Sequence, residues 1–221
     1  MCPPAACLFD LDGLLLDTEP LHGQAWRRAA AAFELQLGDD RLMQLRGRRR
    51  EDNSEQVRRW ITAEGRQPPS NEQLLAVQQP IARQLLARAP AMPGAQQLVE
   101  RCSELGVAMA LVTSSSHASL ALKSAAHPWL GEIGERVLGD DPELAAGKPA
   151  PDPFLLAARR LGVKPQHCWA FEDSPAGARS AAAAGCQVHV LLPPGLTAGE
   201  RAVLYEPHWN FLASLEQVGL D

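Results

Sequence analysis

The chain has 221 residues, of which 46% are hydrophobic, so it is long enough for one large domain or for a core that carries a smaller inserted one. Its 21 basic and 26 acidic side chains give a net charge of -5, which argues against nucleic acid or an anionic membrane surface as the main partner. An anionic substrate would therefore need positive charge placed locally at its binding site.

Cysteine content and hydropathy both favour a soluble cytoplasmic protein. The cysteines are odd in number, include no Cys-x-x-Cys pair and mostly lie in apolar runs, so we expect reduced core thiols. They are Cys2, Cys7, Cys102, Cys168 and Cys186. The amino terminus lacks the pattern of a signal peptide, and no later segment approaches the length of a membrane span. We expect no membrane partner, and a monomer or weak dimer.

The first predicted element is an apolar strand, Ala5 to Phe9, which ends on Asp10 and is followed by Asp12 and Gly13. Carboxylates at the end of a buried strand are costly unless they are paired, hydrogen-bonded or coordinated. A hard divalent ion such as Mg²⁺ takes oxygen ligands and would supply the missing partner. The alternative is an Asp-Gly hairpin turn, but a hairpin does not explain Asp10.

The next stretch, residues 19–90, is predicted to be an inserted helical domain. Its apolar residues recur at helical spacing and it contains no convincing strand. Prolines and glycine at its edges, Thr18 to Pro20 and Pro90 to Gly94, are typical of hinges, so this domain could be a cap that opens and closes. A rigidly packed helical subdomain is the alternative.

The remaining residues, 1–18 and 91–221, are predicted to form an α/β core with a Rossmann-like parallel sheet. Three further apolar strands are expected at Val107 to Val112, Cys168 to Phe171 and Val188 to Leu192. Helices over Gln96 to Leu105 and Ala176 to Ala184 each end at a glycine and lead into the next strand. In such a sheet ligands bind at the carboxyl ends of the strands, where Asp10, Thr113, Glu172 and Asp173 would converge.

Two loops could bind an anion. Thr113 to Ser116 supplies four hydroxyl groups between a strand and a helix, although serines often do no more than cap a helix. Lys148 lies in a proline-rich loop stiff enough to hold one ammonium beside a phosphate, with a plain surface lysine as the alternative. Asp152 is expected to cap the following helix, with Pro153 at its first position.

The strand that ends at Phe171 is followed by two acids, Glu172 and Asp173, which would complete a metal site. Ser174 and Pro175 are then predicted to be the N-cap and the first residue of a helix. Capping explains Ser174 but leaves Glu172 and Asp173 to be explained by another role.

Together these four segments resemble the haloacid dehalogenase superfamily, and closely its phosphoglucomutase-like branch with a helical cap after the first motif. The motifs are Asp10-Leu-Asp12-Gly13, Thr113 after a strand, Lys148 in Gly-Lys-Pro, and Glu172-Asp173 before Ser-Pro-Ala-Gly. The resemblance implies magnesium-dependent phosphoryl transfer, with Asp10 as nucleophile and Asp12 as general acid and base. Dehalogenases of the superfamily lack the second aspartate, so cleavage of a carbon–halogen bond is disfavoured.

The same resemblance implies the ligands of the site. Mg²⁺ would be held by Asp10, by the backbone carbonyl of Asp12, by Asp173, and by Glu172 directly or through water. Phosphate would be held by Lys148, Thr113 and Ser114. Lys148 would supply its ammonium, and the other two residues would supply hydroxyl and amide groups. The catalytic residues that the resemblance implies are therefore Asp10, Asp12 and Lys148.

Substrate choice is expected to come from the cap, with His22, Arg50 and Thr18 as candidate contacts. His22 and Arg50 align with cap positions that face the active site in relatives resembling β-phosphoglucomutase. For the arginine cluster from Arg46 to Arg50, a solvated helix face with ion pairs is an equally good interpretation. Gln78 or Gln79 stands where the mutases carry a cap lysine.

The sequence therefore predicts a Mg²⁺-dependent phosphatase that acts on a small phosphorylated metabolite, a sugar phosphate or nucleotide-derived monophosphate. A sugar-phosphate mutase of the β-phosphoglucomutase type is the second hypothesis. The third is a catalytically silent phosphate-binding protein, because a fold alone does not confer activity.

Overall fold

The computed structural model describes residues 3–45 and 50–220. Contacts divide the chain into two compact units, which are Met1–Asp17 with Pro90–Asp221, and Thr18–Ala89. We call them the core unit and the helical unit. No helix in the described part of the chain is both long and apolar enough to span a membrane.

The core unit is built on a parallel sheet of six strands in the order β3-β2-β1-β4-β5-β6. The strands are β1 (Ala6–Phe9), β2 (Ala108–Val112), β3 (Glu135–Val137), β4 (Cys168–Glu172), β5 (Gln187–Leu191) and β6 (Asn210–Leu212). This order confirms the predicted Rossmann-like α/β fold. The strand order reverses between β1 and β4, and in open α/β sheets a ligand crevice forms at such a point, outside the carboxyl ends of the strands.

The predicted strands are all present, and two further strands were not predicted. β3 and β6 are three residues long and lie at the edges of the sheet, where a strand needs no continuous apolar run. β3 was not predicted because two of its three residues, Glu135 and Arg136, are charged and so form no apolar run. The pattern of buried apolar residues is therefore informative for central strands and weak for edges.

Helices of the core unit cover the sheet. They are α5 (Ala95–Glu104), α6 (His117–Ser124), α7 (Asp152–Leu161), α8 (Pro175–Ala183) and α9 (Ala198–Leu204). Buried residues of α7 and α8, including Phe154 and Ala178, pack with Leu8 and Val112 of the central strands in one apolar cluster. Asp152 is the first residue of α7 and Pro151 is its N-cap, so the expected capping role of Asp152 was wrong by one position.

The helical unit contains α1 (Glu19–Ala31), α2 (Asp39–Met43), α3 (Arg50–Ala63) and α4 (Asn71–Leu86) among its described residues. Its core is a cluster of buried apolar side chains that includes Trp26, Val57, Ile61 and Leu74. Residues Arg46 to Arg49, the first four of the arginine cluster, lie outside the described residues.

Four cysteines are free thiols buried in the core unit. They are Cys7, Cys102, Cys168 and Cys186. Cys2, the fifth, lies outside those residues. Burial raises the pKa of Cys168 to about 11, which makes this thiol unreactive at neutral pH.

Candidate active site

Three carboxylates meet where β1 and β4 end. Asp10 directly follows β1, Glu172 is the last residue of β4, and Asp173 is the next residue. One oxygen from each of them lies within 4.8 Å of the others. The backbone N–H of Asp10 donates to the carbonyl of Phe171 (3.0 Å), which continues the pairing of the two strands into the site. The sheet itself therefore holds the carboxylates together.

Lys148 is the cation of this cluster. Its Nζ donates to Oδ1 of Asp10 (2.6 Å), to Oε1 of Glu172, and to the carbonyl of Val112 at the end of β2 (2.8 Å). The side chain is only 7% exposed, so the alternative of a surface lysine is wrong. One ammonium thus links the ends of three adjacent strands and offsets part of the charge that the carboxylates bring into a buried place.

The electrostatics of the cluster leave negative charge in excess. Burial raises the pKa of Asp10 to about 7, and the charges of Glu172 and Asp12 add to the rise while Lys148 opposes it. Burial alone would lower the pKa of Lys148, but its contacts with Asp10 and Glu172 outweigh that effect and raise it. Three carboxylates facing one ammonium form a site that a further cation would stabilise.

Two glycines make room for the metal-binding carboxylates predicted from the sequence. Gly13 has φ +88°, and a Cβ atom there would lie 2.7 Å from Cγ of Asp173. A Cβ atom on Gly177, in the first turns of α8, would overlap the carboxylate of Glu172. The glycines of the Asp-x-Asp-Gly and Ser-Pro-Ala-Gly segments are thus explained by close approach, which no local sequence pattern reveals.

Asp12 turns its carboxylate toward two residues that were not predicted as its partners, Lys123 and Ser115. Lys123 Nζ donates to both carboxylate oxygens of Asp12 (2.7 and 2.6 Å), and the Ser115 hydroxyl donates to Oδ2 (2.7 Å). Lys123 lies in α6 three residues after the buried Leu120, so it shares the apolar face of that helix. A lysine on an apolar helix face was the one available signal, and it is a weak one.

The predicted phosphate-binding residues have different environments. Thr113 is buried at the end of β2, where its N–H donates to Val137 (3.0 Å) and its Oγ1 accepts from the N–H of Ser115 (3.1 Å). Ser114 is exposed, and Ser116 caps α6 by accepting from the N–H of Ser119 (3.3 Å). Capping therefore explains Ser116 and leaves Thr113 and Ser114 as candidate phosphate contacts.

The candidate substrate contacts Thr18, His22 and Arg50 all belong to the helical unit. Thr18 precedes α1, is fully buried, and its Oγ1 has no hydrogen-bond partner among the described residues. His22 is half-buried in the first turns of α1, and Arg50 is the exposed first residue of α3. Of the two residues that could stand at the position of the mutase lysine, Gln78 is buried in α4 and Gln79 is half-buried. Their role in substrate binding stays a prediction.

A family model described as haloacid dehalogenase-like hydrolase matches residues 4–185. The chain belongs to this family. The match extends from before β1 to the end of α8 and includes each of the residues that converge on Asp10, so the resemblance seen in the motifs is confirmed.

Relatives within the haloacid dehalogenase-like hydrolases are named phosphatases. A probable pseudouridine-5'-phosphatase of Drosophila melanogaster is 36% identical over 195 residues, which cover 86% of this chain and 83% of the relative. (DL)-glycerol-3-phosphatase 2 of Arabidopsis thaliana is 32% identical, with 86% of this chain and 80% of the relative covered. These relatives confirm the predicted enzyme class, a phosphoric monoester hydrolase.

A solved structure of the same family has a matching fold. The HAD family hydrolase from Deinococcus radiodurans R1, crystallised with bound phosphate and sodium, superimposes with a TM-score of 0.77 at 27% identity. The alignment covers 98% of this chain and 94% of that chain.

Proposed function

We propose that the protein is a Mg²⁺-dependent phosphatase that hydrolyses a small phosphomonoester through an aspartyl-phosphate on Asp10. The observation that carries this proposal is the buried cluster of Asp10, Glu172 and Asp173 with the Lys148 ammonium bonded to two of its members. A phosphate brings further negative charge, so such a cluster can accept it only with additional positive charge at hand.

The donor set fits Mg²⁺. Its side-chain ligands are carboxylate oxygens, which hard divalent cations prefer, and they lie within 4.8 Å of one another. Asp10, Asp173 and Glu172 would hold the ion, with the backbone carbonyl of Asp12 as the fourth group that the family resemblance implies. When bound, Mg²⁺ would neutralise charge on the phosphate and so reduce its repulsion from the carboxylates.

The side chains then have separate tasks. The Asp10 carboxylate attacks phosphorus while the bond to the leaving oxygen breaks, and Lys148 offsets the charge shared by the two anions. Asp12 gives a proton to the leaving oxygen, and later takes one from the water that attacks phosphorus and releases inorganic phosphate from Asp10. Thr113, Ser114 and nearby N–H groups would hold the phosphate oxygens.

We further propose that the substrate is a sugar phosphate or a nucleotide-derived monophosphate. The name of one relative, a probable pseudouridine-5'-phosphatase, supports this class, and the name of the other, a glycerol-3-phosphatase, supports a small phosphorylated metabolite in general. The helical unit would select the leaving group, with Thr18, His22 and Arg50 as the candidate contacts.

The test is phosphate release from a panel of phosphorylated metabolites, with Mg²⁺ and with chelator, by the wild type and Asp10→Asn. We expect multiple turnovers that need both Mg²⁺ and Asp10, and a loss of several orders of magnitude in the variant. Turnover by folded Asp10→Asn would exclude Asp10 as nucleophile. Efficient conversion of β-glucose 1-phosphate to glucose 6-phosphate with negligible phosphate release would favour the mutase, and no activity on any substrate would favour a silent binding protein.

A further inference from the structure

The chain uses lysine sparingly and places it selectively. Of its 21 basic residues only three are lysines, namely Lys123, Lys148 and Lys164. Lys164 is exposed, whereas Lys148 is buried against Asp10 and Glu172, and Lys123 is buried against Asp12. Lys148 already has a place in the proposed reaction. Lys123 has none, although its side chain is only 1% exposed.

The contacts of Lys123 use its full donor capacity. Its three N–H groups have three acceptors, which are the two carboxylate oxygens of Asp12 and Oγ of Ser115 (2.7 Å). The Ser115 hydroxyl in turn donates to Oδ2 of Asp12, which closes a triangle of hydrogen bonds. A carboxylate held at both oxygens by an ammonium and at one by a hydroxyl cannot rotate without breaking charge-assisted bonds.

Ser115, one of the two residues that hold Asp12, is itself held through its backbone. Ser115 accepts at its carbonyl from the N–H of Gly139 (2.9 Å), and its own N–H donates to Thr113 Oγ1. A Cβ atom on Gly139 would overlap the neighbouring carbonyl of Ser114. The loop after β3 and the loop after β2 therefore approach as closely as a glycine allows. The Asp12 carboxylate is thus bonded to residues of the core unit that lie up to 111 positions away in sequence.

Burying an ammonium is unfavourable for stability when an apolar side chain could fill the same space. A lysine on the apolar face of α6 is therefore better explained by what it does to Asp12 than by packing. We infer that Lys123 is a positioning residue that holds the Asp12 carboxylate in the orientation from which it takes a proton from water. This inference rests on the proposed function, because Asp12 has that task only in a phosphatase.

The test uses p-nitrophenyl phosphate, whose leaving group departs without a proton, so that Asp12 is needed only to hydrolyse the aspartyl-phosphate. The Lys123→Met variant should form p-nitrophenolate in a burst at the wild-type rate and then turn over at least about tenfold more slowly. Lys164→Met, which removes the exposed lysine, should stay within about twofold of the wild type in both phases. Thermal unfolding of each variant checks that the fold is kept.

A double-mutant cycle with Asp12→Asn separates positioning from a merely structural role. If Lys123 acts through Asp12, then Lys123→Met should cause no further loss, within about twofold, in the Asp12→Asn background. Losses that multiply in the double variant, or an equal slowing of the burst and the steady state, would overturn the inference alone. Wild-type protein that forms p-nitrophenolate no faster than Asp10→Asn would count against the proposed function, and against this inference with it.

Discussion

A Cβ atom on Gly13 would lie 2.7 Å from Cγ of Asp173, although the two residues are 160 positions apart in the chain. The loop after β1 therefore approaches the end of β4 as closely as its backbone permits. Any side chain at position 13 has to displace the Asp173 carboxylate, which is one of the three carboxylates proposed to hold the metal.

Gly13→Ala should consequently impair catalysis more than stability. The left-handed backbone at Gly13 (φ +88°) costs alanine about 1–2 kcal/mol of unfolding free energy, and displacement of the carboxylate should lower kcat/KM by about a hundredfold. Gly185 is a matched control, because its φ of +89° is nearly the same and a Cβ atom there would have open space around it. Urea unfolding should show similar losses in both variants, and phosphatase assays a loss in Gly13→Ala alone.

Lys148→Met should make the stability of the fold depend on Mg²⁺. Removal of one partner from a buried charge cluster costs about 3–5 kcal/mol, because Asp10 and Glu172 then face each other without the ammonium. A bound cation would restore part of this loss, so unfolding by urea should shift with added Mg²⁺ much more in the variant than in the wild type. Equal shifts in both proteins would contradict the placement of the metal beside Lys148.

Asp173→Asn should weaken metal binding while keeping the volume of the side chain. Loss of one carboxylate from the cluster should raise the Mg²⁺ concentration that half-restores activity by about tenfold or more. The same titration followed by thermal unfolding gives a second measure that does not depend on turnover. Glu104→Gln, which neutralises an exposed acid in α5, serves as the control and should leave both titrations unchanged.

His189 should make the protein less stable in mild acid. It lies in β5 against the rings of Trp169 (4.8 Å) and Phe171 (4.9 Å), and burial lowers its pKa from 6.5 to about 4. Between these two values the unfolded chain binds a proton that the folded protein excludes. The neutral histidine therefore contributes stability above pH 6.5 that is lost as the pH falls toward 4.

The size of this effect is measurable by urea unfolding at pH 7.5 and pH 4.5. The wild type should lose about 2 kcal/mol more than His189→Phe over this interval, since phenylalanine keeps the aromatic contacts and cannot take up a proton. Replacement of the exposed His167 by glutamine should leave the loss at its wild-type size. An unchanged pH dependence in His189→Phe would show that other groups cause the acid sensitivity.

Local patterns of apolar and acidic residues in the sequence determined the central strands of the sheet and the acids at their ends. A run of apolar residues that ends on an acid predicts a buried strand and a polar strand end wherever it occurs, because both features depend on neighbours in sequence. For this reason the sequence alone identifies β1, β2, β4 and β5, together with Asp10, Glu172 and Asp173 at the strand ends. The convergence of these acids followed from the parallel sheet, whose carboxyl ends share one edge.

Only the tertiary structure decided which further side chains contact the acids at the strand ends. Lys123 and Asp12 are 111 residues apart, and nothing near either residue in sequence encodes their pairing, which arises because α6 packs its apolar face toward the loop after β1. The same holds for Gly13 against Asp173 and for the edge strands β3 and β6, which are defined by the neighbours they pair with. Local propensity acts over a few residues, whereas ion pairs and close approaches depend on distances that exist only once the chain has packed.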